Sequence, residues 1–310
     1  MRIAIMGAGG IGCNVGARLA KAGQDVTFIA RGRHLDALKT KGLTLRSPLG
    51  DVVLSKVRAT DKPAEVGSVD VVLMGVKLYD LKSAAEAARP LVGPGTMVVP
   101  VQNGVTAHEE LAAVLGREAV VGGLVFMSSF VVEPGVAVHK SQVHGLYFGE
   151  LDGRLSPRVE AFRDAGVAAG YDARASTDIQ LELWNKYILL CGFSAVSTLS
   201  RQPIGPILAD PDLRATLVQA TQEVADVARA KGVAVAADVV DKCIAFCGNF
   251  KADSKASMLE DLEAGKPLEL AWLSGTLVRL GAEAGAPTPF HRIANALLKP
   301  MAGGRPKAAA

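Results

Sequence analysis

Aromatic residues are scarce in this sequence: two Trp, four Tyr and nine Phe among 310 residues. The interior must therefore be built from Ala, Val, Leu and Ile, as in proteins of packed sheets and helices. Cysteine is scarce too. Cys13, Cys191, Cys243 and Cys247 lie in apolar, helix-like surroundings without zinc-ligand spacing. A disulfide scaffold is excluded, and the four read as core residues in a reducing compartment. Charge of one sign is also missing: 34 Lys and Arg face 31 Asp and Glu, for a net charge of +3. Charge this balanced and scattered leaves no footprint for nucleic acid. No apolar run is long enough to span a bilayer, and "MRIAIMG" reads as a strand, not a secretion signal. The expectation is a soluble cytoplasmic protein without nucleic-acid or membrane partners. A homodimer is compatible with all of this.

What the sequence does have is alternation. "RIAIMG", "VTFIA", "VDVVLMG", "TMVVPV" and "AVVGGLVFM" read as strands, with helices over 11–22, 79–89 and 105–115 between them. Continuous apolar strands are those buried on both faces of a parallel sheet. Their alternation with helices predicts an α/β, Rossmann-type, doubly wound domain. "GVAVHK" and "HGLYFGE" alternate like antiparallel strands closing the sheet, followed by a helix at 156–169 and a strand near 171–175. Ser176 or Thr177 then caps a helical region, with helices expected at 178–199, 211–231, 236–247, 268–284 and 287–299. The predicted organisation is a nucleotide-binding domain over 1–175, an all-helical C-terminal domain over 176–300 and a frayed tail over 301–310. The two domains are expected to border a cleft.

Gly7, Ala8, Gly9, Gly10, Ile11 and Gly12 form a G-x-G-x-x-G loop after a strand and before a helix. Gly7 permits the tight turn, Gly9 lets the backbone approach a pyrophosphate, and Gly12 lets helix and strand pack. The helix N-terminus offers unpaired N–H groups to the phosphates. Cys13, in the first helical turn, reads as a small residue in a crowded place. The second strand ends in "RGR", where an acid would hold the ribose hydroxyls of NAD. Arg31, with Arg33 beside it, suits a 2′-phosphate instead, so NADP(H) is the expected cofactor. Lys77 and Asn103 follow two further strands, at the end of the sheet where ligands bind.

Lys186 lies early in an apolar helix, "LWNKYILLCGFSAVSTLS". A buried ammonium needs a partner, a lowered pKa or access to a polar cleft; otherwise its stem reaches the surface. The residues alone leave those alternatives open. "GAGGIG", "GVK", "QNG", "WNKYILL" and "SMLEDLEAGKPLE", in this order, resemble the ketopantoate reductase (2-dehydropantoate 2-reductase) family from Met1 to about Ala294. The resemblance implies NADPH-dependent reduction of a 2-oxo acid to a 2-hydroxy acid, in pantothenate biosynthesis. It implies that Gly7–Gly12 hold the pyrophosphate and Arg31 the 2′-phosphate. Lys77, Asn103 and Ser129 would adjoin cofactor or substrate. Lys186 matches the catalytic lysine, Ser257 a substrate-contacting serine, and Glu269 a glutamate touching cofactor and substrate.

The sequence departs from that pattern at polar positions. The family's asparagines four and eight residues after the lysine are Leu190 and Ser194 here, and another falls at Ile204. The acid two places after the glutamate is Ala271, and the asparagine five places after it is Ser274. Ser194 stays among the substrate candidates, but the substitutions point to a bulkier or less polar 2-oxo acid than ketopantoate. Alternatives are an opine-type or other 2-oxo acid dehydrogenase of the same layout, or an NADP(H)-sensing protein without catalysis. No metal site is expected.

Overall fold

Runs of Val, Ile and Leu near the N-terminus pair into a parallel sheet, the centre of one of two units. The computed structural model describes residues 1–305. The first unit takes in Met1–Gln102 and Thr106–Ile179; the second takes in Asn103–Val105 and the chain from Gln180 onward.

The first unit runs β1 (Arg2–Met6), α1 (Gly10–Lys21), β2 (Asp25–Ile29), α2 (Gly32–Lys41), β3 (Leu43–Arg46), β4 (Val52–Leu54) and β5 (Arg58–Thr60). It continues with β6 (Val71–Met74), α3 (Leu81–Ala88), β7 (Met97–Pro100), α4 (Ala107–Leu115), β8 (Gly122–Phe126) and β9 (Ser129–Glu133). It closes with β10 (Val136–His139), β11 (Gly145–Gly149), α5 (Pro157–Ala168) and β12 (Asp172–Ala175). The main sheet has the order β5-β2-β1-β6-β7, with every pairing parallel. β6 and β7 are buried throughout, as continuous apolar strands in a covered sheet must be. This is the doubly wound arrangement the alternation predicts.

The strands expected to close that sheet are antiparallel as predicted but lie outside it. β10 pairs antiparallel with β9 and parallel with β3, whereas β11 pairs antiparallel with β8 and parallel with β12. They sit in two separate small sheets. Their burial differs accordingly: β10 alternates, with one face covered, and every residue of β11 is buried. Four further strands, β3, β4, β5 and β9, and the polar helix α2 escape the pattern reading. These strands have three to five residues each, too few for a period of two to stand out.

The second unit is helical: α6 (Ile179–Ser200), α7 (Ile204–Ala209), α8 (Pro211–Ala230), α9 (Val239–Cys247), α10 (Ser257–Glu263), α11 (Thr276–Ala284) and α12 (Pro289–Leu298). The helix expected over 268–284 begins only at Ala271, and its first turn, Ala271–Gly275, is a π turn in which the Gly275 amide donates to the Leu270 carbonyl. α12 has no side-chain cap of its own. Its first amides donate instead to Glu223 of α8, from Phe290 at 2.9 Å and His291 at 3.1 Å. This carboxylate is buried and satisfies N–H groups that a helix start leaves open.

Residues 301–305, read from sequence as part of a tail, carry hydrogen bonds: the Arg305 amide donates to Gly265 and Leu268 donates to Ala302. The rest of that tail, 306–310, lies outside the described residues. All four cysteines are buried and free. Among the described residues no helix is long and apolar enough to cross a membrane, and no cluster of ligating side chains could hold a metal ion.

Candidate functional site

In the first unit the chain leaves β1 through Gly7, whose φ of +99° lies in the left-handed region that favours glycine. The Gly7 and Ala8 amides both donate to the Ile29 carbonyl, at 3.2 and 3.1 Å, fixing the turn to the end of β2. A Cβ on Gly12 would overlap the Gly7 carbonyl oxygen and approach Ile5 Cγ2 to 2.8 Å. A Cβ on Gly10 would overlap the Ser129 carbonyl. On Gly9, by contrast, a Cβ would meet only the Gly75 carbonyl, at 3.9 Å. Two glycines are thus required by packing, while Gly9 keeps a space open on the loop. That space lies at the start of α1, which has neither a side-chain cap nor an acid in its first turn. Unpaired N–H groups and the positive end of the helix dipole suit a pyrophosphate there. Ala8 is buried and Ile11 half-buried.

Ser129 opens β9 and comes to the same loop. Its side chain is buried, and its Oγ has no hydrogen-bond partner. A buried hydroxyl without a partner is costly unless a ligand supplies one. Arg31 is the residue before α2, and both it and Arg33 are exposed. Cys13 is buried; its thiol donates to the Ala8 carbonyl at 3.1 Å. Burial pushes that thiol up to about 12, so it is no thiolate despite the helix N-terminus. His34, which the sequence does not flag, lies 3.5 Å from Cys13 Sγ, and its Nδ1 accepts from the Gly135 amide at 3.2 Å. Burial lowers its pKa, opposed by a hydrogen bond with the Ala8 backbone.

Lys77 follows β6, half-buried, just before a short 3-10 turn at Leu78–Asp80. The loop carrying it is held by Gln102, whose Nε2 donates to the Met74 carbonyl at 2.6 Å and the Val76 carbonyl at 3.0 Å. The "QNG" stretch therefore contains a clamp as well as the expected Asn103.

The second unit gathers the other candidates. Lys186 is half-buried on α6. Burial pushes its ammonium down to about 8, and the Glu269 carboxylate opposes that shift. Glu269 is 6% exposed and lies just before the π turn. Asn103 belongs to this unit, half-buried, and its neighbour Gly104 packs beside the Trp272 carbonyl of the π turn. Leu190 is half-buried one turn beyond Lys186. Ser194, another turn on, is 1% exposed with its hydroxyl unpartnered. Ser257 is half-buried at the start of α10.

Comparison with known proteins agrees along the chain. The family model described as ketopantoate reductase PanE/ApbA matches residues 3–153, and its C-terminal counterpart matches 178–302. A 2-dehydropantoate 2-reductase of Mesorhizobium japonicum is 33% identical, over 97% of this chain and 98% of its own. An uncharacterized oxidoreductase of Bacillus subtilis, YkpB, is 31% identical over 90% of this chain and 91% of its own. The crystal structure of 2-dehydropantoate 2-reductase from Geobacter metallireducens superposes with a TM-score of 0.91 at 34% identity, covering 97% of this chain and 99% of that one. The chain belongs to the ketopantoate reductase family of oxidoreductases.

Proposed function

We propose that this protein reduces a 2-oxo acid to a 2-hydroxy acid with NADPH, with Lys186 as the proton donor. The observation that carries the reading is the half-buried ammonium of Lys186 with the buried carboxylate of Glu269 acting on it. Such a pair is expensive as mere structure, and it suits carbonyl reduction. The nicotinamide supplies the hydride when bound. Lys186 meets the negative charge that develops on the carbonyl oxygen and gives it a proton. Glu269 keeps the lysine charged against its own burial. Asn103 donates a hydrogen bond without adding charge. Gly7, Ala8, Gly9, Gly10, Ile11 and Gly12 hold the pyrophosphate, and Ser129 offers its spare hydroxyl to the cofactor. Lys77 adjoins the nicotinamide end, and Ser257 and Ser194 adjoin the substrate.

Arg31 is assigned the 2′-phosphate. Arg31→Ala should raise the KM for NADPH roughly 10- to 100-fold, the worth of a charged hydrogen-bonded pair, and leave the KM for NADH unchanged. Equal effects on both cofactors would remove Arg31 from that role.

Leu190 favours a substrate less polar than ketopantoate. It is a partly exposed apolar side chain one turn from the proton donor, where a hydroxylated substrate would want a hydrogen-bond partner. The test is NADPH oxidation against a panel of 2-oxo acids, ketopantoate included. Highest kcat/KM on acids with apolar side chains is the expected result. Turnover of ketopantoate at about 10⁵ M⁻¹s⁻¹ or more, an ordinary enzymatic efficiency, would refute this substrate preference.

A further inference from the structure

Lys186 and Glu269 lie on different elements, so something must hold those elements in register. Tyr187, next to Lys186 in sequence, is 1% exposed and donates its hydroxyl to the Leu273 carbonyl at 2.6 Å. Leu273 sits inside the π turn that begins two residues after Glu269. A π turn shifts the backbone ladder by one residue, and such turns gather at functional sites. Here the Trp272 and Leu273 amides both donate to the Glu269 carbonyl, so the turn is bonded to Glu269 itself.

The next residue, Ser274, is fully buried, with its Oγ 3.1 Å from Nδ1 of His291. The other ring nitrogen of His291, Nε2, lies 3.0 Å from the Ala220 carbonyl of α8. A carbonyl can only accept, so Nε2 carries the hydrogen, and Nδ1 accepts from the Ser274 hydroxyl. Burial lowers the His291 pKa to about 4, so this neutral tautomer persists through the physiological range. Cys191 brings its thiol to 3.8 Å from the same Nδ1. The π turn is thus anchored on one side to α6, through Tyr187, and on the other to α8 and α12, through Ser274 and His291.

We propose that Tyr187 and Ser274, backed by His291, are positioning residues that lock the π turn and so hold Glu269 against Lys186. None of the three is assigned to cofactor or substrate. They act through the placement of the carboxylate. The role rests on the reading of Lys186 as proton donor, and its test has a readout that needs no turnover.

That readout is the titration of the Lys186 amine, followed by nuclear magnetic resonance in protein with ¹⁵N-labelled lysine and assigned with Lys186→Met. In folded Tyr187→Phe and Ser274→Ala, Lys186 should titrate below its wild-type value, because a displaced Glu269 no longer opposes the effect of burial. In the same variants kcat should fall roughly 10- to 100-fold, the cost of slight misplacement. A wild-type Lys186 titration in a folded variant that has merely lost stability would overturn the proposal. Should Tyr187→Phe fail to fold, Ser274→Ala decides the matter, since it leaves the Leu273 carbonyl satisfied. A wild-type protein that reduces no 2-oxo acid would overturn the reductase reading, while the titration would still decide the positioning role.

Discussion

Lys186→Ala should lower kcat for 2-oxo acid reduction roughly 10²- to 10⁴-fold, the usual worth of a positioned proton donor, while NADPH still binds. Stopped-flow fluorescence of bound NADPH separates the two effects. Retained turnover would end the case for Lys186. Loss of NADPH binding along with turnover would point to a collapsed fold. The wild-type pH profile carries the same assignment. A proton donor works only while protonated, so kcat for reduction should fall as pH rises through about 8, where the Lys186 ammonium titrates. A lysine in ordinary surroundings would hold the plateau to about 10.

The shift also has a consequence for stability. The folded-state pKa of Lys186 lies below the value of 10.5 for an unhindered lysine. Between about 8 and 10.5 the unfolded chain therefore binds more protons than the folded one, and Lys186 makes stability rise with pH across that window. The penalty for burying the ammonium is complete below about 8. In Lys186→Ala this pH-dependent component should vanish, which urea titrations across the same range would measure.

The second large effect divides the glycine loop. Gly12→Ala places a methyl group into the Gly7 carbonyl oxygen and against Ile5. Neither is the end of a flexible side chain that could swing away. Destabilisation on the order of 3 kcal/mol or more is expected, at the upper end for overpacked sites. Gly9→Ala places its methyl in open space, 3.9 Å from the nearest atom. Stability should change by less than about 1 kcal/mol, the ordinary range for an unstrained exposed substitution. The affinity for NADPH should nevertheless fall at least tenfold, because the methyl occupies the space proposed for the pyrophosphate. Thermal melts with and without NADPH read both quantities. Gly9→Ala protein with unimpaired NADPH binding would detach the loop from the cofactor.

Local patterns revealed some of this and concealed the rest. β1, the glycine loop and α1 are contiguous, and their meaning follows from spacing alone. The role proposed for Arg31 rests on position as well, at the end of β2. The pairing of Lys186 with Glu269 is long-range and came into view only through family resemblance. Tyr187 and His291 carry no local signal at all, because their partners are main-chain carbonyls of Leu273 and Ala220. Main-chain carbonyls look alike in any sequence, so only the fold reveals which one a buried hydroxyl or imidazole will meet. The π turn was concealed because one extra residue in a helical ladder barely disturbs a period of 3.6. β10 and β11 do pair antiparallel, as their alternation predicts, but in separate small sheets, because alternation specifies a strand's faces and not its neighbour.

The carboxylate of Glu223 has a bearing on how the chain is made. α8 leaves the ribosome well before α12, yet Glu223 finds the amides of Phe290 and His291 only when α12 arrives. Until then a carboxylate destined for the interior has no donors from that helix, and burying it early would be costly. The buried place of Glu223 therefore depends on α12, whose amides supply its hydrogen bonds. A chain cut short before α12 would keep the acid without its reason for being inside.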